Sequence, residues 1–211
     1  MTEPISRFVR LAASLSLWLL LAACTWSPKV VHPGLGNAGI ALRPAERTEI
    51  GVSTWAGVVP AFVRTELRVF EFLTLSGGYG LTGPDAAGFL GSLNLVLINS
   101  SNAYLVVSPN LVSHDNSERG FSALTWGGSA SAGLKLDQKG NVRIFGTFFA
   151  GEYRGTYASA DDRGLVLIPG LGLDADLGVV RTFLEGNLPL SKSIGTTTIM
   201  PNLSAGLMFG F

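Results

Sequence analysis

The chain has 211 residues, with 47% hydrophobic and 14% charged side chains. Its 27 glycines are close to twice the usual share, and its charged fraction is well below the usual quarter. Fifteen basic and fifteen acidic residues cancel, so nothing supplies the strong basic field that a nucleic-acid binder needs. One cysteine excludes an internal disulfide framework and a four-cysteine metal site, and two histidines leave little for imidazole chemistry.

Residues 1–23 read as a targeting leader. Arg7 and Arg10 precede an apolar run from Leu11 to Ala23. That run is shorter than the about 20 residues a membrane-spanning helix needs, and it fits a signal-peptide core. It ends in Leu21-Ala22-Ala23-Cys24, which resembles the lipobox of bacterial lipoproteins. The resemblance implies cleavage before Cys24 and lipid, palmitate included, on that residue. Thr25 stands where the family's inner-membrane retention signal has Asp, which implies sorting to the outer membrane by the lipoprotein machinery. An ordinary signal peptide cut near Ala23 is the alternative. Residues 24–47 hold Pro28, Pro33, Pro44, Gly34, Gly36 and Gly39, a composition expected of a flexible, lipid-anchored arm.

Residues 48–211 read as one barrel domain. Period-two alternation dominates, and helical periodicity is interrupted by glycine. About ten strands are expected, with eight or twelve as alternatives: 48–58, 61–69, 72–82, 88–99, 102–111, 121–136, 142–154, 165–177, 179–189 and 197–211. Polar loops are expected at 113–120 and 155–164, and tight turns at 99–102 and 137–141. Leu73, Leu75, Tyr79 and Leu81 oppose Thr74, Ser76, Gly78 and Gly80. Leu124, Trp126, Leu134 and Leu136 oppose Thr125, Ser129, Ser131 and Gly133.

Alternation alone does not say which face is wet. A soluble sandwich buries the apolar faces, whereas a transmembrane barrel turns them to lipid. Strand length favours the barrel, because a tilted crossing needs about ten residues while ordinary strands average five or six. The faces opposite the apolar ones carry Gly, Ser and Thr rather than Lys and Glu, which suits a narrow interior. Charges also recur on those faces. Arg64, Glu66 and Arg68 share a parity within their strand, as do Asp174 and Asp176 in theirs, and Arg181 and Glu185 in theirs. On lipid each Arg would cost about 2–4 kcal/mol at mid-membrane. These seven residues are therefore expected to form a polar network in the lumen. Trp55, Trp126, Tyr79, Tyr104, Tyr153 and Tyr157 are candidate interfacial aromatics.

The segment Asn202–Phe211 (NLSAGLMFGF) resembles the C-terminal strand of bacterial outer-membrane barrels, with Leu203, Ala205, Leu207, Phe209 and Phe211 in alternation. The resemblance implies recognition by the barrel assembly machinery. An even strand number would place both termini in the periplasm.

No dinucleotide fingerprint, P-loop, HExxH or GxSxG occurs. No cofactor, metal site or catalytic set is expected. The expectation is an all-β, closed antiparallel transmembrane barrel of the outer membrane. Its role would be structural or that of a narrow channel for a small solute, without catalysis. Two alternatives are a tethered periplasmic sandwich or lipocalin-like cup for a hydrophobic ligand, and a membrane-embedded lipid-modifying enzyme.

Overall fold

A computed structural model describes residues 43–44, 46–55, 59–83, 86–116, 121–157, 160–188, 190–193, 196–199 and 202–211. The leader, Cys24 and the arm up to residue 42 lie outside the described residues. The strands are β1 (Glu49–Trp55), β2 (Val59–Phe70), β3 (Leu73–Gly83), β4 (Ala86–Asn99), β5 (Ala103–Asn116) and β6 (Phe121–Lys135). They continue as β7 (Val142–Tyr157), β8 (Ala160–Asp176), β9 (Val180–Asn187), β10 (Leu190–Ser193), β11 (Thr196–Ile199) and β12 (Asn202–Gly210).

Each strand from β1 to β8 pairs antiparallel with the next. Both β9 and β10 pair with β8 in one continuous register, Asn187 against Gly170 and Leu190 against Leu167. They are two halves of one stave. Likewise β11 pairs β10 and β12 pairs β9 in a single register. Pairing of β12 with β1 closes the ring. The fold is a closed antiparallel barrel of ten staves.

The turns after β2, β4, β6 and β8 all lie at one end, together with both ends of the barrel domain, where the Phe211 amide donates to the Thr48 carbonyl (3.0 Å). Two of these turns rest on left-handed glycines, Gly140 (φ 69°) and Gly178 (φ 94°). Asp137 caps the first by accepting from the Val142 amide (2.9 Å), and Asp176 caps the second by accepting from the Gly178 amide (2.9 Å). We call this the turn end, and the opposite end the loop end.

Strands at the loop end run further than the sequence suggests. Residues 113–116 and 160–164 were expected in polar loops, yet they extend β5 and β8, with Asp115 against Ser122 and Thr156 against Asp161. Backbone pairing needs no apolar side chain, so the ladder continues past the point where hydropathy stops.

The alternating faces resolve in one direction. Leu75, Phe89, Leu111, Leu124, Leu134, Phe148, Leu165 and Leu171 point outward and are exposed, while Thr74, Ser76, Asn94, Ser108, Asn110, Thr125 and Ser131 are buried. This inverts the solution pattern and excludes the lipocalin-like cup, whose apolar face would line the interior. Along β6 the apolar wall from Leu124 to Leu136 spans about 30 Å of bilayer normal, at a rise of about 3.3 Å per residue and a tilt of about 40°. The chain has the build of an outer-membrane β-barrel.

Inward glycines seat rings from neighbouring strands. A Cβ at Gly133 would lie 2.3 Å from the Tyr104 ring, one at Gly206 2.3 Å from Phe183, and one at Gly172 2.4 Å from Phe145. Tyr104 and Tyr153 are therefore lumen residues, buried to 3% and 0% exposure, rather than interfacial aromatics. Tyr79 does face outward, as does Trp126 beside Leu111. The rest of the inward surface is a lattice of small amides and hydroxyls. Asn94 Nδ2 donates to Ser76 Oγ (2.6 Å), Ser108 Oγ donates to Asn94 Oδ1 (2.8 Å), and Asn110 Nδ2 donates to Ser129 Oγ.

Candidate functional site

Two features of the barrel carry chemistry: a charged cluster in the lumen at the turn end, and a groove on the outer wall at the loop end.

The lumen cluster is built by strand register. Glu49 of β1 lies opposite Glu66 of β2, Arg143 of β7 opposite Asp174 of β8, and Asp176 opposite Arg181 of β9. Two carboxylates face each other across β1 and β2, and cations from further round the ring neutralise them. Arg181 reaches Glu49 at 3.3 Å, Glu66 at 3.1 Å and Asp174 at 3.5 Å, with no solvent exposure of its side chain. Arg64 is ion-paired and hydrogen-bonded to Glu66 on its own strand. Glu185 accepts from Thr147 Oγ1 (2.7 Å), above the backbone of Gly170, where a Cβ would collide with both partners. Asp174 and Asp176 lie among arginines and are not a free acid–base pair. Asp174 meets Arg181, Arg143 (3.6 Å) and Arg43 (3.8 Å).

Arg68 stands apart. Its side chain is 35% exposed, donates to the Glu46 carbonyl (2.6 Å) and approaches Glu71 at 3.9 Å. It belongs to the rim of the turn end.

The residues absent from the sequence expectation are Glu49, Arg143 and, above all, Arg43 and Arg47. The segment expected to be an arm ends by entering the barrel mouth. Arg43 is 2% exposed and binds Glu49 (2.7 Å) and Asp176 (3.6 Å), while Arg47 binds Asp176 (3.0 Å). Arg47 crosses so close to β12 that a Cβ at Gly210 would overlap its Nε. Glu46 receives Arg143 at 2.8 Å. Burial and the nearby Arg181 pull the Arg43 guanidinium below its ordinary value, and Asp174 and Glu49 pull it back. Without residues 43–47, Arg64, Arg143 and Arg181 would face Glu49, Glu66, Asp174, Asp176 and Glu185 with cations in deficit. With Arg43 and Arg47 in place five guanidiniums meet the five buried carboxylates, and the Glu46 carboxylate, 60% exposed at the rim, adds one further negative charge beside Arg143. Buried charge needs such pairing because desolvation is otherwise prohibitive.

On the outer wall, antiparallel pairing aligns side chains in rows across β5, β6, β7 and β8. Val107, Ala130, Phe148 and Pro169 form a mid-belt row, and Leu111, Trp126, Glu152 and Leu165 form a row nearer the loop end. The next row is Ser113, Leu124, Arg154 and Arg163, and above it lie Asp115, Ser122, Thr156 and Asp161. Except for Asp115, the last two rows line an open groove of about 710 Å³. Arg154 lies 5.4 Å over the Trp126 ring and 3.7 Å from Glu152. Arg163 is exposed, directly opposite Arg154, and among the described residues makes no ion pair. Sequence reading missed this pair because it placed 155–164 in a loop. The available signal was the outward parity of Glu152 and Arg154 with Phe148. Among the described residues, no group of three or more His, Cys, Asp or Glu is placed to hold a metal ion.

No protein-family model matches the chain, and no curated protein matches it. Three solved structures with partial similarity to the chain are outer-membrane proteins. The outer membrane protease OmpT from Escherichia coli is 10% identical, with 78% of this chain and 92% of that chain covered at a TM-score of 0.44. An outer membrane protein of Vibrio cholerae, also named OmpT, is 11% identical, with 88% and 70% covered at a TM-score of 0.38. A loop deletion mutant of the latter is 12% identical, with 80% and 56% covered at a TM-score of 0.36. At these identities and TM-scores no activity passes to this chain, and the fold rests on its own strand pairing. One expectation is corrected nonetheless. A structural or channel role without catalysis does not follow from this architecture. The lack of sequence motifs gives no ground for excluding catalysis.

Proposed function

We propose that the protein is an integral outer-membrane barrel, lipid-tethered through Cys24 with both termini in the periplasm, and that it works as a binding protein. The binding site is the outer-wall groove, and the ligand is an acidic group carried by the membrane itself. The observation that carries this reading is the row holding Arg154 and Arg163. Two guanidinium groups face outward in direct register, at the loop-end edge of the apolar wall, in the row of Leu124. Like charges directly opposite one another destabilise a sheet, so a shared anion at headgroup height would relieve that repulsion.

Several features support the placement. The even number of staves brings both ends of the barrel domain to the turn end. The leader resembles that of lipoproteins, and the final strand resembles the segment read by the assembly machinery. The turn-end mouth is occupied by Arg43 and its partners, leaving the outer wall as the more accessible surface.

Two experiments test the reading. Ser122→Cys in a Cys24→Ser background, on intact cells, should react with an impermeant thiol reagent, and Ser100→Cys should not. The reverse pattern would overturn the orientation. Protein extracted and washed in neutral detergent should retain an acidic lipid by mass spectrometry. Arg154→Ala/Arg163→Ala should lose it. Equal retention by both forms would overturn the binding role.

A further inference from the structure

Resting on that binding reading, we infer that the groove recognises the phosphorylated sugar headgroup of an outer-leaflet lipid: Arg154 and Arg163 take the phosphate, and the Ser113, Ser122, Thr156 and Asp161 side chains take the sugar.

The division of labour follows from the rows. Arg154 and Arg163 occupy adjacent strands, about 5 Å apart at the backbone, and both project outward. Planar guanidiniums match phosphate oxygens bidentately, and two together can grip one phosphate from two sides. Glu152 holds Arg154 from below at 3.7 Å, and the Trp126 ring lies under the same guanidinium at 5.4 Å. These contacts fix Arg154 in place while Arg163 remains available. One row nearer the loop end, the groove turns from cationic to hydroxyl-rich, with one carboxylate. Ser122 and Thr156 sit side by side in register, with Asp161 next to Thr156. Hydroxyls and a single carboxylate exchange hydrogen bonds with sugar hydroxyls and amides, as donors and acceptors respectively. A site made only for a diester phosphate would not need that second row. Asp161 also opposes indiscriminate anion binding, because the groove then carries Arg154 and Arg163 against one carboxylate. The volume of about 710 Å³ exceeds what a lone phosphate fills. Beneath the groove, Leu111, Trp126 and Leu165 begin the apolar wall that acyl chains would follow.

The test uses the full-length barrel in neutral detergent. Three probes are a bisphosphorylated glucosamine-disaccharide lipid, its dephosphorylated counterpart, and phosphatidylglycerol. Trp126 reports the event, because a phosphate that draws Arg154 changes the cation over its ring; Trp126→Phe identifies that part of the emission. The phosphorylated glycolipid should give a saturable change. The dephosphorylated lipid and phosphatidylglycerol should each bind about tenfold or more weakly, the scale of one lost charge-assisted contact. Arg163→Gln should weaken the glycolipid by a similar factor, and Arg163→Lys by less. Retention of heat-dependent gel mobility shows that the variants are folded. Equal binding of the dephosphorylated lipid would overturn the phosphate assignment, and equal binding of phosphatidylglycerol would overturn the sugar assignment. The phosphatidylglycerol result would leave intact the broader reading of an acidic-lipid binder, whereas equal binding of the dephosphorylated lipid, which carries no acid, would overturn that reading as well. Loss of all three probes would remove both.

Discussion

Replacing Arg181 by Met measures whether the lumen cluster behaves as dry ionic packing. The side chain is fully buried, and it serves Glu49, Glu66 and Asp174 at 3.1–3.5 Å. Its loss leaves three buried carboxylates short of a cation, while methionine fills similar volume. Breaking a buried pair by removing one partner typically costs about 3–5 kcal/mol. At a urea slope of about 2 kcal/mol per M, the unfolding midpoint should fall by about 2 M. The assay is urea unfolding of the detergent-refolded barrel, read by heat-dependent gel mobility and tryptophan emission together. Adding Glu66→Gln removes one stranded charge. The double variant should therefore be more stable than the sum of the two single variants predicts, by at least about 1 kcal/mol. Arg154→Met is the comparison, since its pair with Glu152 is solvent-exposed and such pairs contribute about 0–1 kcal/mol. A midpoint shift under about 0.5 M for Arg181→Met, or strict additivity with Glu66→Gln, would refute the reasoning. Water in the lumen would then be screening the charges.

Arg43→Gln should destabilise the barrel in the same assay, because Glu49 and Asp176 lose a buried partner. Charge reversal at the same site should be worse. Gly206→Ala should lower stability by about 1–3 kcal/mol through overpacking against Phe183, and the added Phe183→Leu change should recover part of it. Phe148→Arg, at mid-belt, should cost about 2–4 kcal/mol of refolding stability in bilayers, whereas Thr156→Arg, above the belt, should cost under about 1 kcal/mol.

The barrel was legible because its physics is local. Leu, Ser and Gly alternate along each strand, and the bilayer demands that alternation over a fixed length. Strand number was legible too, although the weak break near residue 178 needed a left-handed glycine rather than a polar loop. Parity placed Arg64, Glu66, Asp174, Asp176, Arg181 and Glu185 on inward faces. It gave no account of Arg43, because nothing in a proline- and glycine-rich segment says that it turns back into the mouth. The lumen's charge balance depends on that return, and balance is a property of the closed ring.

The outer-wall site shows the same division. The sequence by itself sets Arg154 and Glu152 on one face of β7 with Phe148, and Phe145, Phe149 and Tyr153 on the other; which of these two faces meets lipid is decided by closure of the ring. Register decided the rest. Only pairing of β7 with β8 sets Arg163 directly opposite Arg154 and sets Ser122, Thr156 and Asp161 in one row above them. Side-chain period is encoded within a strand. The alignment of one strand with the next is fixed by closing all ten staves around a packed lumen.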